Sequence, residues 1–322
     1  MKQLTMAGPG TSVLEEVPVP EIGPDEVLVR MKYCGVCRSE LESWQTAEAG
    51  KRMGHEPVGT VEKVGAAVEG FKPGDRVSGW AYPALAEYVA FKAANTVKIP
   101  DAISDEDATV EPLACVVSAI NKLPKEAFLK PVAVIGCGYM GLAALSLLKL
   151  RGADTIIAVD TSEQARQNAR KLGAVEAYHP SEVPARYLAT WDSGCEGGFH
   201  VVSEWTGNQQ ALDLAGRMVA VGGTLGVGGY HAGGPRQVDM QLWNYKAITM
   251  INLHERRMDY MAQCYREAFD LLASGQWPFT NLKHKVYPLD QFDVAMAEII
   301  TKPGGIIKGL IDCTQWGQDD SK

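Results

Sequence analysis

Residues 132–152, VAVIGCGYMGLAALSLLKLRG, decide the fold of this chain. They begin with a β-branched run, turn on three glycines, and continue with leucine and alanine at helical spacing as far as Gly152. The uncharged run from Pro131 to Leu148 has the length of a membrane span, but three glycines within six residues favour a strand, a tight turn and a buried helix. No membrane partner is therefore expected.

The glycines Gly136, Gly138 and Gly141 have the spacing G-x-G-x-x-G, and Asp160 follows nineteen residues after the last of them. Between a strand and a helix, this is the context of a dinucleotide-binding turn, where the backbone and the helix amino end approach a pyrophosphate. A carboxylate at Asp160 can accept both ribose hydroxyls and would repel a 2′-phosphate, so NAD is favoured over NADP. Arg166 could meet such a phosphate, which weakens this preference. A glycine-rich turn that binds another nucleotide, or none, is the alternative.

Strand-like and helix-like segments alternate from residue 122 to residue 253. TIIAVD, EAYH, FHVVS, GTLGV and AITMI have strand character. TSEQARQNARKLG and NQQALDLAGRM have helix character, the first with Thr161 as its predicted N-cap. Alternation at this spacing predicts a parallel, doubly wound sheet of Rossmann type.

The residues before 122 have a different character. EVLVRMKYCGV, VGTVEKVG, GDRVSGW and AEYVAF are strand-like and are separated by glycine and proline, which predicts a small, twisted, barrel-like sheet. The segments KHKVYPL and GIIKGLIDC near the end of the chain are expected to return to that sheet. The predicted fold class is α/β, with a β-rich catalytic domain of residues 1–121 and 254–322 and a Rossmann domain of residues 122–253.

Composition narrows the possible partners and the compartment. The 322 residues carry a formal net charge of −8 and no basic stripe, so nucleic acid is not expected as a partner. The seven cysteines are an odd number, and no apolar signal segment precedes them. This combination predicts reduced thiols and a cytoplasmic protein.

Cysteine, histidine and carboxylate side chains occur near glycines in the β-rich domain. Cys37 closes the motif CGVC, His55 and Glu56 lie in MGHEPVG, and Glu111 lies in VEPLAC. These are the ligand types that zinc prefers, and three protein ligands with one open position make a catalytic site. A redox-active dithiol of Cys34 and Cys37 is the alternative.

With these residues in place, the chain resembles the zinc-dependent medium-chain alcohol and polyol dehydrogenases. The motifs CGVCRSE, GHEPVGTVEKVG, GDRV, AEYV, EPLA, VIGCGYMG, AVD and GGTLGVGG occur in the family's order over almost the whole chain. The resemblance implies a GroES-like catalytic domain, NAD-linked hydride transfer between an alcohol and its ketone, and a homodimer or homotetramer. The carboxylate-rich ligand set favours a sugar, polyol or cyclitol substrate.

The resemblance also implies a role for each matched residue. It places Cys37, His55 and Glu111 on the zinc ion, with Glu56 on the metal or directly behind it, and Cys115 is the alternative to Glu111. Ser39 matches the hydroxyl that relays the substrate proton. The cofactor contacts that it implies beyond the glycine turn, Asp160 and Arg166 are Arg38, Tyr139, Met140, Val227 and Lys308.

The chain departs from the family pattern at two places. Only SGWAYPAL separates GDRV from AEYV, so the four-cysteine lobe of most members is missing and one zinc per chain is expected. Trp80 and Tyr82 in that segment could form an aromatic wall for a ring-shaped substrate. Glu42 stands where the family often has the histidine that ends the proton relay. The rival interpretations are a zinc-free quinone or enone reductase of the same superfamily and a non-catalytic nucleotide-binding protein.

Overall fold

The computed structural model of the chain describes residues 1–280, 282, 284–302 and 305–317. The chain divides into two units. Unit 1 comprises Met1–Ala114, Arg257–Gly275 and Thr280–Lys322, and unit 2 comprises Cys115–Arg256 and Gln276–Phe279. The sequence-based boundaries at 121 and 254 differ from these by a few residues. The first boundary lies inside a continuous helix, so no loop marks it in the sequence.

In chain order the strands are β1 (Lys2–Gly8), β2 (Thr11–Glu16), β3 (Glu26–Gly35), β4 (Pro57–Val64), β5 (Arg76–Gly79), β6 (Tyr88–Lys92), β7 (Thr96–Lys98), β8 (Val132–Ile135), β9 (Ile156–Val159), β10 (Glu176–Tyr178), β11 (Phe199–Glu204), β12 (Val219–Val227), β13 (Thr249–Asn252), β14 (His284–Pro288) and β15 (Lys308–Asp312). The α-helices are α1 (Leu41–Gln45), α2 (Val110–Lys122), α3 (Tyr139–Leu150), α4 (Glu163–Lys171), α5 (Gln209–Met218), α6 (Met240–Tyr245), α7 (Met258–Ala273) and α8 (Phe292–Thr301).

A mixed sheet in the order β14-β15-β3-β4-β5-β7, with β6 paired to β3, forms the body of unit 1, and β1 and β2 form a separate hairpin. β3 lies at its centre because Val27, Val29 and Met31, two residues apart, are all buried in one apolar core. The strands near the end of the chain, β14 and β15, join this sheet. The β-rich domain predicted from the sequence is thus confirmed.

Six parallel strands form the sheet of unit 2, in the order β10-β9-β8-β11-β12-β13. The strand order reverses between β8 and β11. In such sheets ligands bind outside the carboxyl ends of the strands at this switch point. All four residues of β8 are buried, as expected for a strand with both faces covered. The doubly wound sheet is therefore confirmed.

The predicted N-cap of α4 is wrong by one residue. Ser162, and not Thr161, is the N-cap, and its hydroxyl accepts a hydrogen bond from Ala165 N. The physical reason lies in the preceding strand end. Asp160 accepts a hydrogen bond from Ser162 N at 2.8 Å, so the chain is still turning at Thr161 and enters the helix one residue later.

A buried lysine holds several segments of unit 2 together. Lys246 is fully buried, and its ammonium group donates hydrogen bonds to the carbonyl oxygens of Ala189, Gly216 and Val219 at 2.9, 2.7 and 2.6 Å. The last two carbonyls lie at the carboxyl end of α5, where a positive charge also meets the negative end of the helix dipole. Within the described residues, no helix combines the length and the apolar character needed to span a bilayer.

Candidate metal and cofactor sites

Cys37 and the pair His55–Glu56 meet because β3 and β4 are antiparallel neighbours. Cys34 near the end of β3 is the register partner of Pro57 at the start of β4, and Gly35 N donates to Glu56 O at 2.9 Å. Cys37 follows β3, and His55 and Glu56 precede β4, so all three lie at the same end of the sheet. Cys37 is extended there, before a short 3₁₀ turn over Arg38–Glu40.

The three side chains converge on one point. One ligand atom each from Cys37, His55 and Glu56 lies within 4.8 Å of the other two, and this is the group of potential metal ligands found among the described residues. Cys34 is fully buried in the core of unit 1, whereas Cys37 is partly exposed. The two cysteines of the CGVC motif therefore have different environments, as expected if only Cys37 binds a metal.

Glu40 is a site residue that the sequence analysis missed. It is buried, its Oε1 accepts a hydrogen bond from Gly54 N at 2.7 Å, and the same oxygen lies 3.4 Å from His55 Nδ1. A carboxylate on Nδ1 leaves Nε2 of the histidine for a metal, the arrangement that orients most metal-binding histidines. The one signal in the sequence is an acidic residue three positions after a candidate ligand cysteine, and its burial follows from the contact with Gly54.

His55 carries a strongly perturbed imidazole. Burial lowers its pKa, but hydrogen bonds and charge interactions with Cys37 and Glu40 outweigh burial and raise the pKa of His55 to about 12. The surroundings of His55 therefore favour the doubly protonated, cationic imidazole. A metal binds neutral imidazole, so a metal at this site competes with that second proton.

Glu56 carries a buried carboxylate whose oxygens retain acceptor capacity. It is almost fully buried, and its Oε2 lies 2.5 Å from Lys308 Nζ in an ion pair. Neither carboxylate oxygen accepts a hydrogen bond of good geometry. Space is reserved for this side chain at Gly35, where an added Cβ would lie 1.9 Å from Glu56 Oε2. A buried charge with unused lone pairs, beside a thiol and an imidazole, fits a zinc ion.

The remaining predicted catalytic residues lie near this group or on α2. Ser39 is exposed, and its Oγ lies 3.1 Å from Cys37 Sγ. Glu111 lies in the first turn of α2, and Cys115 follows one turn later. Neither belongs to the converging group of three. Their assignment as third ligand remains a prediction, as does the relay role of Ser39.

Tyr82 lies within electrostatic reach of the metal group. Its side chain is half exposed, and its hydroxyl donates to Arg52 O at 2.5 Å. Burial raises the pKa of Tyr82, and the charge of Glu40 raises it further, while His55 and Arg52 lower it. Trp80 is also partly exposed. The segment SGWAYPAL, which replaces the missing lobe, thus exposes the aromatic rings of Trp80 and Tyr82 on unit 1.

Gly136 and Gly141, in the glycine motif of unit 2, have no room for a side chain. A Cβ at Gly141 would lie 1.7 Å from Gly136 O, and a Cβ at Gly136, which has φ of +90°, would lie 2.6 Å from Thr206 Cγ2. Helix α3 begins at Tyr139 directly after this turn, with Gly138 as its N-cap. The N–H groups of the first helical turn are therefore at the carboxyl end of β8, where an anion can approach them.

The other predicted cofactor residues are divided between the units, with Tyr139, Met140 and Val227 in unit 2 and Arg38 and Lys308 in unit 1. Tyr139 and Met140 are partly buried in the first turn of α3, and Val227 is the last residue of β12. Arg38 is exposed at the start of its 3₁₀ turn. Lys308 also donates to Val36 O at 3.2 Å, in addition to its ion pair with Glu56. Their cofactor contacts remain predictions.

Asp160 and Arg166 are tied to the protein backbone. Asp160 Oδ2 accepts a hydrogen bond from Cys137 N at 2.7 Å, which links the end of β9 to the glycine turn. Arg166 donates to the carbonyl oxygens of Asp160 and Thr161 and to the carboxylate of Glu163. The carboxylate of Asp160 retains acceptor capacity, whereas the donors of Arg166 already have acceptors.

Comparison with known proteins decides the family. A zinc-binding dehydrogenase family model matches residues 140–274, and an alcohol dehydrogenase GroES-like domain model matches residues 23–101. Sorbitol dehydrogenase from Homo sapiens is 30% identical over 264 residues, which cover 69% of this chain and 72% of that protein. The chain belongs to the zinc-type medium-chain alcohol and polyol dehydrogenases.

Two further comparisons cover nearly the whole of this dehydrogenase. Sorbitol dehydrogenase from Gallus gallus is 29% identical, with 95% of this chain and 94% of that protein aligned. The crystal structure of 2R,3R-butanediol dehydrogenase from Bacillus subtilis has a TM-score of 0.79 at 25% identity and covers 97% of this chain and 99% of its own. The protein is thus an alcohol oxidoreductase of the medium-chain type.

Proposed function

We propose that this enzyme oxidises a secondary alcohol of the polyol, sugar or cyclitol class, with one zinc ion per chain and NAD as hydride acceptor. The observation that carries the proposal is the convergence of Cys37, His55 and Glu56 within 4.8 Å at one end of the sheet of unit 1. A zinc ion bound there acts as a Lewis acid toward the hydroxyl group of the substrate.

The protein's own groups hold and prepare this centre. Cys37, His55 and Glu56 would bind the metal, with Glu111 as the further ligand predicted from the family resemblance. Glu40 orients the imidazole of His55 through Nδ1. We assign acceptance of the substrate proton to Ser39 Oγ, and its exposure and its distance of 3.1 Å from Cys37 Sγ support this assignment.

The nucleotide assignment rests on the turn after β8 and on Asp160. NAD supplies the hydride acceptor when it is bound. The carboxylate of Asp160 can accept ribose hydroxyls and repels a 2′-phosphate. The guanidinium of Arg166 forms an ion pair with Glu163 and donates to Asp160 O and Thr161 O, which reduces its ability to attract a 2′-phosphate. Both features support NAD in preference to NADP.

The substrate class is inferred from the relatives and from the aromatic segment. The similar proteins are named for sorbitol and for 2R,3R-butanediol, both of which carry secondary hydroxyl groups. In this chain, Tyr82 is held by Arg52 O and is influenced by the charges of Glu40 and His55. A half-exposed ring at this position can pack against the carbon face of a sugar or cyclitol.

A substrate panel tests the proposal. Purified enzyme is supplied with NAD or NADP and with polyols, cyclitols, sugars and simple secondary alcohols, and the absorbance of the reduced cofactor is followed. We expect turnover of at least one polyhydroxylated substrate with NAD, and its loss in Cys37→Ala while NADH binding is kept. Glu48→Gln, at an exposed acid outside the converging group, is the control and should remain active. A strict preference for NADP, or full activity in Cys37→Ala, would contradict the proposal.

A further inference from the structure

Glu204, the last residue of β11, carries a carboxylate that is completely buried. Its Oε1 accepts hydrogen bonds from Thr206 N, Thr206 Oγ1 and Gly207 N at 2.5, 2.5 and 2.9 Å. Burial of a charge is costly unless hydrogen bonds compensate it. These three donors all belong to the loop that follows β11, so the carboxylate fixes the course of that loop.

The second oxygen of Glu204 connects to a histidine and an arginine. Glu204 Oε2 lies 3.0 Å from His231 Nε2, and Arg236 Nε donates to His231 Nδ1 at 3.2 Å. A guanidinium can only donate, so Nδ1 must be the acceptor. The proton of the ring is therefore on Nε2 and is donated to Glu204. Arg236 thus selects one neutral tautomer of His231.

Arg236 also closes the loop that follows β12. Its guanidinium donates to Ala232 O, to Gly234 O at 3.0 Å and to Gly207 O at 3.3 Å. The main chain adds Gly228 N and Gly229 N, which both donate to Glu204 O. The loops after β11 and β12 are therefore joined through the buried carboxylate of Glu204 and the partly buried imidazole of His231.

These two loops border the switch point of the sheet. The loop after β11 packs directly on the glycine turn, because a Cβ at Gly136 would meet Thr206 Cγ2 at 2.6 Å. Asp160 lies beyond β9, on the other side of β8. A dinucleotide with its adenosine ribose at Asp160 and its pyrophosphate at α3 has its other half on the side of β11 and β12.

We propose that Glu204, His231 and Arg236 are positioning residues for the nicotinamide half of the dinucleotide. They act through the loops after β11 and β12, because they fix the conformation of these loops before the ligand binds. Ligand binding then requires no further loss of loop conformational entropy. The proposal rests on the dinucleotide binding given under the proposed function. It predicts that damage to the network weakens the hold on the nicotinamide half and leaves the adenosine half unaffected.

Two ligands and two substitutions of one residue test this. Dissociation constants for NADH and for 5′-AMP are measured by fluorescence and calorimetry, together with the melting temperature. His231→Leu removes both hydrogen bonds and should weaken NADH binding roughly tenfold, the effect of losing about 1.4 kcal/mol, and 5′-AMP binding less than twofold. His231→Gln offers one donor and one acceptor, as the neutral tautomer does, and should recover most of the NADH affinity.

Glu176→Gln is the matched control. Glu176 accepts hydroxyl hydrogen bonds from Tyr178 and Tyr187, and it lies at the amino end of β10, away from the switch point. This variant should bind both ligands as the wild type does. Unchanged NADH affinity in His231→Leu, or equal loss of NADH and 5′-AMP affinity, would overturn the positioning role. Failure of the wild-type enzyme to bind NADH would overturn the proposed function itself.

Discussion

Replacing Glu40 with glutamine tests whether its buried carboxylate serves the metal site. The oxygen that Glu40 offers to Gly54 N at 2.7 Å also lies 3.4 Å from His55 Nδ1. Glutamine keeps an acceptor for Gly54 but loses the charge that holds the imidazole. Loss of such a partner of a ligating histidine typically lowers metal affinity 10- to 100-fold, which corresponds to about 1.4–2.7 kcal/mol. We expect this loss for zinc in Glu40→Gln.

The measurement is a competition for zinc between the protein and a chromophoric chelator, with a thermal melt of the metal-free protein beside it. Glu42→Gln is the control, because Glu42 is an exposed acid two residues later. It should retain wild-type zinc affinity. If Glu40→Gln bound zinc as tightly as the wild type while its metal-free form melted earlier, Glu40 would serve the fold and not the metal, and the reasoning would be refuted.

Three further outcomes are expected. Lys246→Met removes the hydrogen bonds to three carbonyl groups and should lower the free energy of unfolding, measured by denaturant titration, by about 2–4 kcal/mol. Lys171→Met, at an exposed position, should change the free energy of unfolding little. Burial lowers the pKa of Lys246 to about 8, below the pKa of a lysine in the unfolded chain. Between pH 8 and 10.5 the unfolded state therefore binds more protons than the folded state. The wild type should gain stability relative to Lys246→Met as the pH rises through that range. Asp160→Ala should weaken NADH binding roughly tenfold and reduce the discrimination against NADPH, and a wild type that already preferred NADPH would contradict this. Glu111→Ala should lower zinc content and turnover together while Cys115→Ser stays close to the wild type, and the reverse pattern would show that the third ligand was wrongly chosen.

The parts of this fold that the sequence predicts are those set by neighbouring residues. The strand VAVIG, its glycine turn and the helix after it are encoded within 132–152, and the structure has β8 and α3 there. Cys37, His55 and Glu56 could be nominated because their residue types suit zinc. Their convergence depends on the pairing of β3 with β4, which the alternating pattern of both segments already favours.

Other features depend on contacts between distant residues, and the sequence gives little sign of them. Glu40 is buried because Gly54, fourteen positions away, donates to it. In the sequence, Lys246 cannot be distinguished from a surface lysine, because its acceptors lie in α5 and in the loop at Ala189. The link from His231 to Glu204 spans 27 residues, so no local pattern marks it. The N-cap of α4 was misplaced because the side chain of Asp160 extends the turn by one residue.

The most direct test of the metal centre is X-ray absorption at the zinc edge of the purified enzyme, combined with metal analysis. We expect one zinc per chain, with a single sulfur ligand at about 2.3 Å and the remaining ligands nitrogen or oxygen at about 2.0–2.2 Å, because Cys37 is the one thiol in the converging group of described residues. Two sulfur ligands, two zinc ions per chain, or the absence of zinc from active enzyme would contradict it.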